Sequence, residues 1–193
     1  MFSGTPVAAQ SGGSQAGSDQ NTNPTDGSSP SQPASALPLD PCQLVTSAEA
    51  SSLAGTTYAT GVEQTTDGGG RICVYGYQTT NVFMVLVGQA PDAATAQASW
   101  SDQEQRAQAT LQRGLPANVP INYGLTDLSL SGYDRATLAG GGGSIGGRTL
   151  SATAIYLLKG ATFLTFSDLV LDNPGPTGDA MQNEAATVNG RLP

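Results

Sequence analysis

Two cysteines, Cys42 and Cys73, are the residues whose types point most directly to a specific chemistry. The chain has no other thiol and no histidine, and a single isolated pair predicts one disulfide bond. Disulfides persist outside the reducing cytosol, so the pair favours an extracytoplasmic protein. Two buried free thiols are the alternative. A redox-active role is disfavoured because the spacing is not Cys-x-x-Cys and no neighbouring base would lower a thiol pKa.

Carboxylates are the remaining candidates for catalysis. The lack of histidine excludes Ser-His-Asp and Cys-His catalysis and most zinc sites. Acidic residues that a two-carboxylate mechanism could use are scattered over predicted turns and helix surfaces: Glu63, Asp67, Asp92, Glu104, Asp127 and Asp134. We interpret each as a helix cap or a solvated charge, and calcium-binding loops do not occur at the required spacing. The sequence therefore predicts a protein that is not an enzyme and that has no metal or cofactor site.

A glycine-rich segment, residues 140–147, is the one candidate for a nucleotide site. Gly142, Gly147, Arg148 and Thr149 fit the P-loop spacing with arginine in place of lysine, and the segment also matches G-x-G-x-x-G. Both motifs require a helix after the glycines, because the helix amino terminus holds the phosphate. The residues that follow are strand-like, so we predict a flexible loop instead.

Aromatic side chains offer a weaker hypothesis about a binding surface. Tyrosine suits surfaces that are partly wet, and four tyrosines are candidates to line a shallow groove: Tyr75, Tyr77, Tyr123 and Tyr133. Trp100 lies on the apolar stripe of a predicted helix, so we expect it in the core. The sole lysine, Lys159, is expected at an exposed hairpin tip.

The charge and hydropathy of the chain exclude several classes of partner. The formal net charge is -8, which disfavours nucleic acid and electrostatic docking to anionic lipid, since both need clustered cations. The longest apolar run, residues 82–87, is far shorter than the roughly 20 residues that span a bilayer. Polar sequence follows Met1 at once, so we expect this to be the mature form of an exported protein, with Met1 replacing the end of the native signal.

The first 37 residues are predicted to be a disordered, low-complexity tether. Ser, Gly, Gln, Asn, Thr, Ala and Pro dominate them, and Asp19 and Asp26 are their only charges. Such a segment lacks the apolar side chains that would offset its ordering entropy. As a flexible coil it would have an end-to-end distance of roughly 30–35 Å, enough to lift a domain off a membrane. An irregular terminus without a role is the alternative.

Residues 38–193 are predicted to form a single α+β domain. A capping box, Thr46 to Glu49, begins a short first helix, a long helix runs from Pro91 to Gln112, and a short last helix begins near Asp179. The predicted strands are 56–63, 72–78, 81–88, 125–130, 133–138, 149–158 and 161–169. Strands joined mainly by hairpins favour an antiparallel sheet of about five to seven strands packed against the long helix.

Several segments resemble a family of actinobacterial surface lipoproteins grouped as domain of unknown function 3558, or a related exported lipoprotein domain. The resemblance is densest in DPCQLVTSAEA at 40–50, LAG at 53–55 and CVY at 73–75. Residues 123–127, YGLTD, look like the family's Gly-Leu-Gly-Asp segment, with Thr126 where glycine is usual. The terminal NGRLP at 189–193 is similar to its closing helix.

The resemblance implies a lipid-anchored envelope protein with a disulfide between Cys42 and Cys73, and it implies no catalytic residues. We therefore expect a protein on the outer face of the cell membrane, or a secreted one, whose N-terminal lipid anchor lies outside this sequence. The favoured function is a non-enzymatic interaction module that docks on another envelope protein or membrane complex. The alternative is a carrier that binds a small molecule or lipid between the sheet and the long helix.

Overall fold

An antiparallel sheet of seven strands organises the part of the chain that this computed structural model describes, residues 39–66, 69–102, 104–105 and 122–193. The strands in chain order are β1 Val62–Thr65, β2 Arg71–Tyr75, β3 Val82–Gln89, β4 Asn122–Leu128, β5 Arg135–Ile145, β6 Arg148–Lys159 and β7 Thr162–Leu171. Their order across the sheet is β1-β2-β3-β7-β6-β5-β4. The predicted α+β fold with an antiparallel sheet is confirmed. The predicted tether, residues 1–37, lies outside the described residues.

Short helices with defined caps accompany the sheet. They are α1 Pro41–Leu44, α2 Ser47–Ala54, α3 Ala93–Ala98 and α4 Gly178–Asn189. The capping box is present as predicted: Thr46 Oγ1 accepts from the Glu49 amide, and Glu49 Oε2 accepts from the Thr46 amide at 2.8 Å. The helix α1, which the sequence did not predict, begins because the Asp40 carboxylate accepts from the amide of Cys42 at 2.9 Å.

The main core lies between one face of the sheet and the helices α1, α2 and α4. Period-two alternation along the strands places Val85, Ile155 and Phe166 on this face, where each is fully buried. The last helix contributes the three side chains that its 3.6-residue period predicts, and all are fully buried: Met181, Ala185 and Val188. This cluster joins the two ends of the described chain to the centre of the sheet.

A smaller core covers part of the opposite face. Trp100 is buried there and stacks on Phe163 of β7, with ring centroids 6.4 Å apart. Ala96 of α3, Tyr156 and Leu158 belong to the same cluster. The predicted core position of Trp100 is therefore confirmed.

Three sequence-based element boundaries need correction. The helix predicted from Pro91 to Gln112 is not confirmed as one uninterrupted helix: α3 ends at Ala98, residues 100–102 and 104–105 are helical again, and 106–112 lie outside the described residues. Residues 57–61 are not a strand, since β1 begins at Val62. The predicted loop 140–147 belongs mostly to β5, with a turn only at Gly146 and Gly147. No helix among the described residues is long and apolar enough to cross a membrane.

Candidate functional site

The predicted disulfide is present and joins α1 to β2. Cys42 and Cys73 are bonded, with their Cα atoms 5.2 Å apart, and Cys73 is fully buried. Beside it, the hydroxyl of Tyr75 donates to the backbone carbonyl of Val45. The bond therefore fixes the first helical segment against the sheet where the main core begins.

Tyr75 is a core residue, so the prediction that it could line a groove is wrong. It is buried between Tyr58 and Phe83, whose ring centroids lie 6.2 Å and 6.3 Å from its own. Burial raises the pKa of Tyr75 to about 12. Cys73 and Tyr75 share one face of β2, and that face turns inward.

The other candidate tyrosines that the structure describes, Tyr77 and Tyr133, do not form a common surface with Tyr75. Tyr77 is 56% exposed just beyond the end of β2. Tyr133 is half-buried and donates to the carbonyl of Ala185 at 2.7 Å, and burial raises its pKa to about 12. The side chain of Tyr123 lies outside the described residues. The groove of four tyrosines is not formed by those that the structure describes.

Three of the candidate carboxylates make structural contacts with neighbouring residues. Glu63 forms an ion pair with Arg71, Asp92 caps α3 through the Thr95 amide at 2.7 Å, and Asp134 accepts from the Gly160 amide at 2.7 Å. Asp67 lies outside the described residues. The interpretation of caps and solvated charges therefore fits Glu63, Asp92 and Asp134.

Two of the candidates, Glu104 and Asp127, meet at one hydroxyl group. Thr137 Oγ1 lies 2.7 Å from Glu104 Oε1 and 3.1 Å from Asp127 Oδ1. A threonine hydroxyl has a single hydrogen, so it can donate to one of these carboxylates at a time. No cluster of three or more metal-ligating side chains occurs among the described residues. The arrangement anchors the helical residues after Trp100 to β4 and β5.

The environment of Lys159 also differs from the predicted one. Its side chain is half-buried, not exposed, and Nζ donates to the carbonyls of Asn189 and Leu192 at 3.4 Å and 3.5 Å. A cation at the carboxyl end of a helix is favourable because the last carbonyls are negative. The sole lysine therefore holds the end of α4 on the β6–β7 hairpin.

The residues that follow α4 also make an ionic contact with a segment that is distant in sequence. Arg191 donates to Glu49 Oε2 at 2.9 Å and to the carbonyl of Leu44 at 2.5 Å. Hydrogen bonding by Arg191 lowers the pKa of Glu49 to about 2. Glu184 of α4 is buried nearby; burial, with a smaller contribution from Glu49, raises its pKa. The pair fastens the end of the chain to α1 and α2.

The most unusual polar group is Asp168, which the sequence analysis did not single out. It lies on β7 between Phe83 of β3 and Thr153 of β6, facing the main core, and it is only 2% exposed. Neither carboxylate oxygen has a hydrogen-bond partner among the described residues. Burial raises the pKa of Asp168 to about 7. The carboxyl group therefore changes between its neutral and its charged form near neutral pH.

Tyr58 and Gly175 form the surroundings of this carboxyl group. Tyr58 is 8% exposed and its hydroxyl is without a partner among the described residues. The charge of Asp168 adds to the effect of burial in raising the pKa of Tyr58, so the two groups interact electrostatically. At Gly175, where φ is 69°, an added Cβ would lie 3.1 Å from Asp168 Oδ2. Asp168 and Tyr58 are thus two buried, unpartnered polar groups that interact electrostatically, and Gly175 lies against the Asp168 carboxylate.

A sequence signal for this site exists. On β7 the inward positions are 164, 166, 168 and 170, and leucine, phenylalanine and valine occupy the other three. A carboxylate at the inward parity of an apolar strand conflicts with the pattern. Such a conflict is expected at functional or strained positions.

The described surface also carries an apolar patch on the face opposite the main core. Four of its residues, Val62, Ile72, Met84 and Leu86, lie on this face, and the exposed Tyr77 lies just beyond the end of β2; we call these five residues the corner patch. Val62 lies opposite Val74, which lies opposite Met84, and Ile72 lies opposite Leu86, so these side chains share one face. Val62 is 44% exposed, Tyr77 is 56% exposed, and the other three are half-buried. The patch reaches the edge of the sheet at β1.

Comparison with known proteins does not extend these observations. No protein-family model and no curated protein matches this chain. The resemblance to envelope lipoproteins stays a prediction, and the function has to be argued from the geometry of the described residues.

Proposed function

We propose that this chain is a non-enzymatic interaction module of the cell envelope, extracytoplasmic and lipid-anchored, that docks on another envelope protein or membrane complex. The observation that carries this proposal is the corner patch. Contiguous exposed apolar surface is uncommon on soluble monomers and is typical of protein contact sites. Val62, at the start of β1, and Tyr77, just beyond the end of β2, lie at the same end of the β1–β2 ribbon, and both are exposed.

The edge strand beside the patch supports the same function. β1 pairs only with β2 among the described residues, and its four residues are all exposed. Its sequence, Val-Glu-Gln-Thr, contains neither lysine nor proline, which commonly block pairing at a sheet edge, and its one charged residue, Glu63, is paired with Arg71. An unpaired edge next to an apolar face suits a partner that adds a strand and covers the patch.

The proposed location and partner rest on the disulfide and on the charge. The Cys42–Cys73 bond is compatible with an oxidising compartment. With a net charge of -8, the chain would repel a strongly acidic surface. We therefore propose a protein partner with an apolar contact region and little negative charge, held close by the N-terminal anchor.

Affinity capture from detergent-solubilised native membranes tests this function. The full chain and a variant carrying Val62→Arg and Tyr77→Ser would be compared with Leu125→Ser, which alters an exposed residue on the opposite edge of the sheet. We expect the wild type and the Leu125 variant to retain one defined membrane protein and the corner variant to lose it. Retention of the same partner by a folded corner variant would reject the corner patch as the docking surface.

A carrier of a small molecule or lipid is the second candidate, and the buried Asp168 site is the observation that favours it. Ligand sites combine apolar walls with a few convergent polar groups, as Asp168 and Tyr58 do beside Phe83. Native mass spectrometry of protein purified from its own membranes distinguishes the two functions. A stoichiometric small molecule, lost in Asp168→Asn, would favour the carrier.

A further inference from the structure

The Asp168 site presents an electrostatic problem that the interaction function does not address. An isolated ionised carboxylate in an apolar core is costly unless it is protonated, paired or bound to a cation. Asp168 is 2% exposed and both of its oxygens lack a partner among the described residues. Its neighbours across the strands are Phe83 and Thr153, and neither carries charge.

The basic side chains that the structure describes are all engaged elsewhere. Arg71 pairs with Glu63, Arg148 with Asp172 and Arg191 with Glu49. The remaining contacts are those of Arg135 with Gln97 and of Lys159 with the carbonyls at the end of α4. None of the ion pairs among the described residues involves Asp168, so a positive charge at this site would have to come from outside the described residues.

We propose that Asp168 and Tyr58 bind a small monovalent cation, for which sodium is the first probe. The Asp168 carboxylate would provide two oxygen ligands, and the Tyr58 hydroxyl, which also lacks a partner among the described residues and interacts electrostatically with Asp168, would provide a third. One positive charge balances the single carboxylate, whereas a divalent ion would leave an uncompensated charge in the core. Protein sites for divalent cations usually supply several carboxylates, and this site has one.

Local backbone features hold the ligands in place. The amide of Tyr58 donates to Ser51 Oγ at 2.9 Å, which fixes the start of the connection from α2 to β1. Gly175 brings the loop after β7 close to Asp168 Oδ2, and a larger residue there would press on the carboxylate. Among the described neighbours from β3, β6 and this loop, namely Phe83, Thr153 and Gly175, none titrates, so Tyr58 is the titratable group that faces Asp168.

Thermal unfolding of the full chain tests the proposal directly. Tm would be measured at pH 8 in chloride salts of sodium, potassium and N-methyl-D-glucamine at equal ionic strength. We expect sodium or potassium to raise Tm by about 3–5 °C over the bulky cation when present at roughly ten times its Kd. Asp168→Asn should abolish the difference, and Asp179→Asn, which alters an exposed carboxylate, should preserve it. Equal Tm values for the wild type in all three salts would overturn the proposal.

A second measurement covers the case in which Asp168→Asn does not fold. Lowering the pH of the wild type to 5 protonates Asp168 and should remove the cation dependence of Tm, since a neutral carboxyl group does not attract the ion. The sodium-23 NMR linewidth should broaden with protein at pH 8 and sharpen on addition of potassium. Cation dependence that persists at pH 5 would place the effect elsewhere and reject this site.

Discussion

Arg191 Nη1 donates to Glu49 Oε2 at 2.9 Å, which joins the residues after α4 to α2 across 142 positions of sequence. The same guanidinium donates to the carbonyl of Leu44 at the end of α1. Because the side chains at this contact are only partly exposed, the pair is less screened than a surface ion pair.

Replacing Glu49 by glutamine should therefore lower the free energy of unfolding at neutral pH by about 1 kcal/mol. The depressed pKa of Glu49 means that this stability is present above its unfolded pKa and is lost as pH falls toward about 2. Urea unfolding between pH 7 and pH 3 measures both effects. Arg148→Gln, which breaks the exposed pair with Asp172, should change little; an equal loss in both variants would contradict the assignment.

The disulfide should contribute a large part of the stability of the domain. Its two cysteines are 31 positions apart, and for a loop of this size the chain-entropy model gives roughly 3–4 kcal/mol. The variant with both Cys42→Ser and Cys73→Ser should unfold at a correspondingly lower urea concentration than the oxidised wild type. Reduced wild type is the control and should resemble the variant. A urea midpoint that does not change on reduction would show that the bond adds nothing.

Gly61 lies where a side chain does not fit. An added Cβ would overlap Cys73 Sγ and come within 2.7 Å of the Tyr75 ring. Gly61→Ala should therefore destabilise the fold by roughly 1–3 kcal/mol or more, because both neighbours are buried. Gly140→Ala is the matched control, since no atom lies within 4 Å of its added Cβ. Chemical denaturation of both variants gives the comparison, and equal stabilities would refute the packing at Gly61.

The pH dependence of stability should reveal Asp168 when small cations are absent. Its folded pKa is raised to about 7, so its stabilising proton is fully present below the unfolded value of about 3.9 and lost as pH rises through 7. The unfolding free energy should fall by roughly 3–4 kcal/mol between pH 4 and pH 7 and then level off. Asp168→Asn should lack this slope; a wild type with no loss of stability over that interval would disprove the raised pKa.

Local chemistry in the sequence predicted several parts of this structure. The capping box at Thr46 and Glu49, the disulfide and the inward face of α4 each depend on residues close in sequence or on a unique pairing. The β6–β7 hairpin was predicted because alternating apolar strands flank a turn at Gly160. These features needed no knowledge of distant contacts.

Distant contacts explain what the sequence did not predict. Residues 140–143 are glycines with low strand propensity, but they pair with residues 150–153 of β6 and, at 140–142, with residues 122–124 of β4. Hydrogen bonding on both sides overrides the propensity of the segment. Tyr75 and Tyr77 are two positions apart, but Tyr75 packs between Tyr58 and Phe83 and donates to Val45, whereas Tyr77 follows Gly76 beyond the end of β2 and is exposed.

The candidate functional residues also divide into those that the local sequence predicted and those that depend on distant contacts. The carboxylates considered from sequence were chosen on exposed turns, where Asp92 and Asp134 act as caps. The sequence analysis did not identify Asp168, because β7 resembles an ordinary apolar strand of a hairpin. Asp168 becomes conspicuous only when each position is assigned to the inward or the outward face of the strand. Tyr58, which interacts with Asp168 electrostatically, is 110 positions away in the sequence, and no sequence pattern links the two.

The position of β7 has a consequence for the order of folding. It is the last strand of the chain, yet it lies in the middle of the sheet and is the only strand that joins β1–β2–β3 to β6–β5–β4. A chain that has emerged only as far as Lys159 can form two separate ribbons, with β3 and β6 left as open edges. Completion of the sheet must wait for residues 162–171, so the chain is most vulnerable to aggregation and proteolysis while β3 and β6 are formed but β7 has not yet inserted between them.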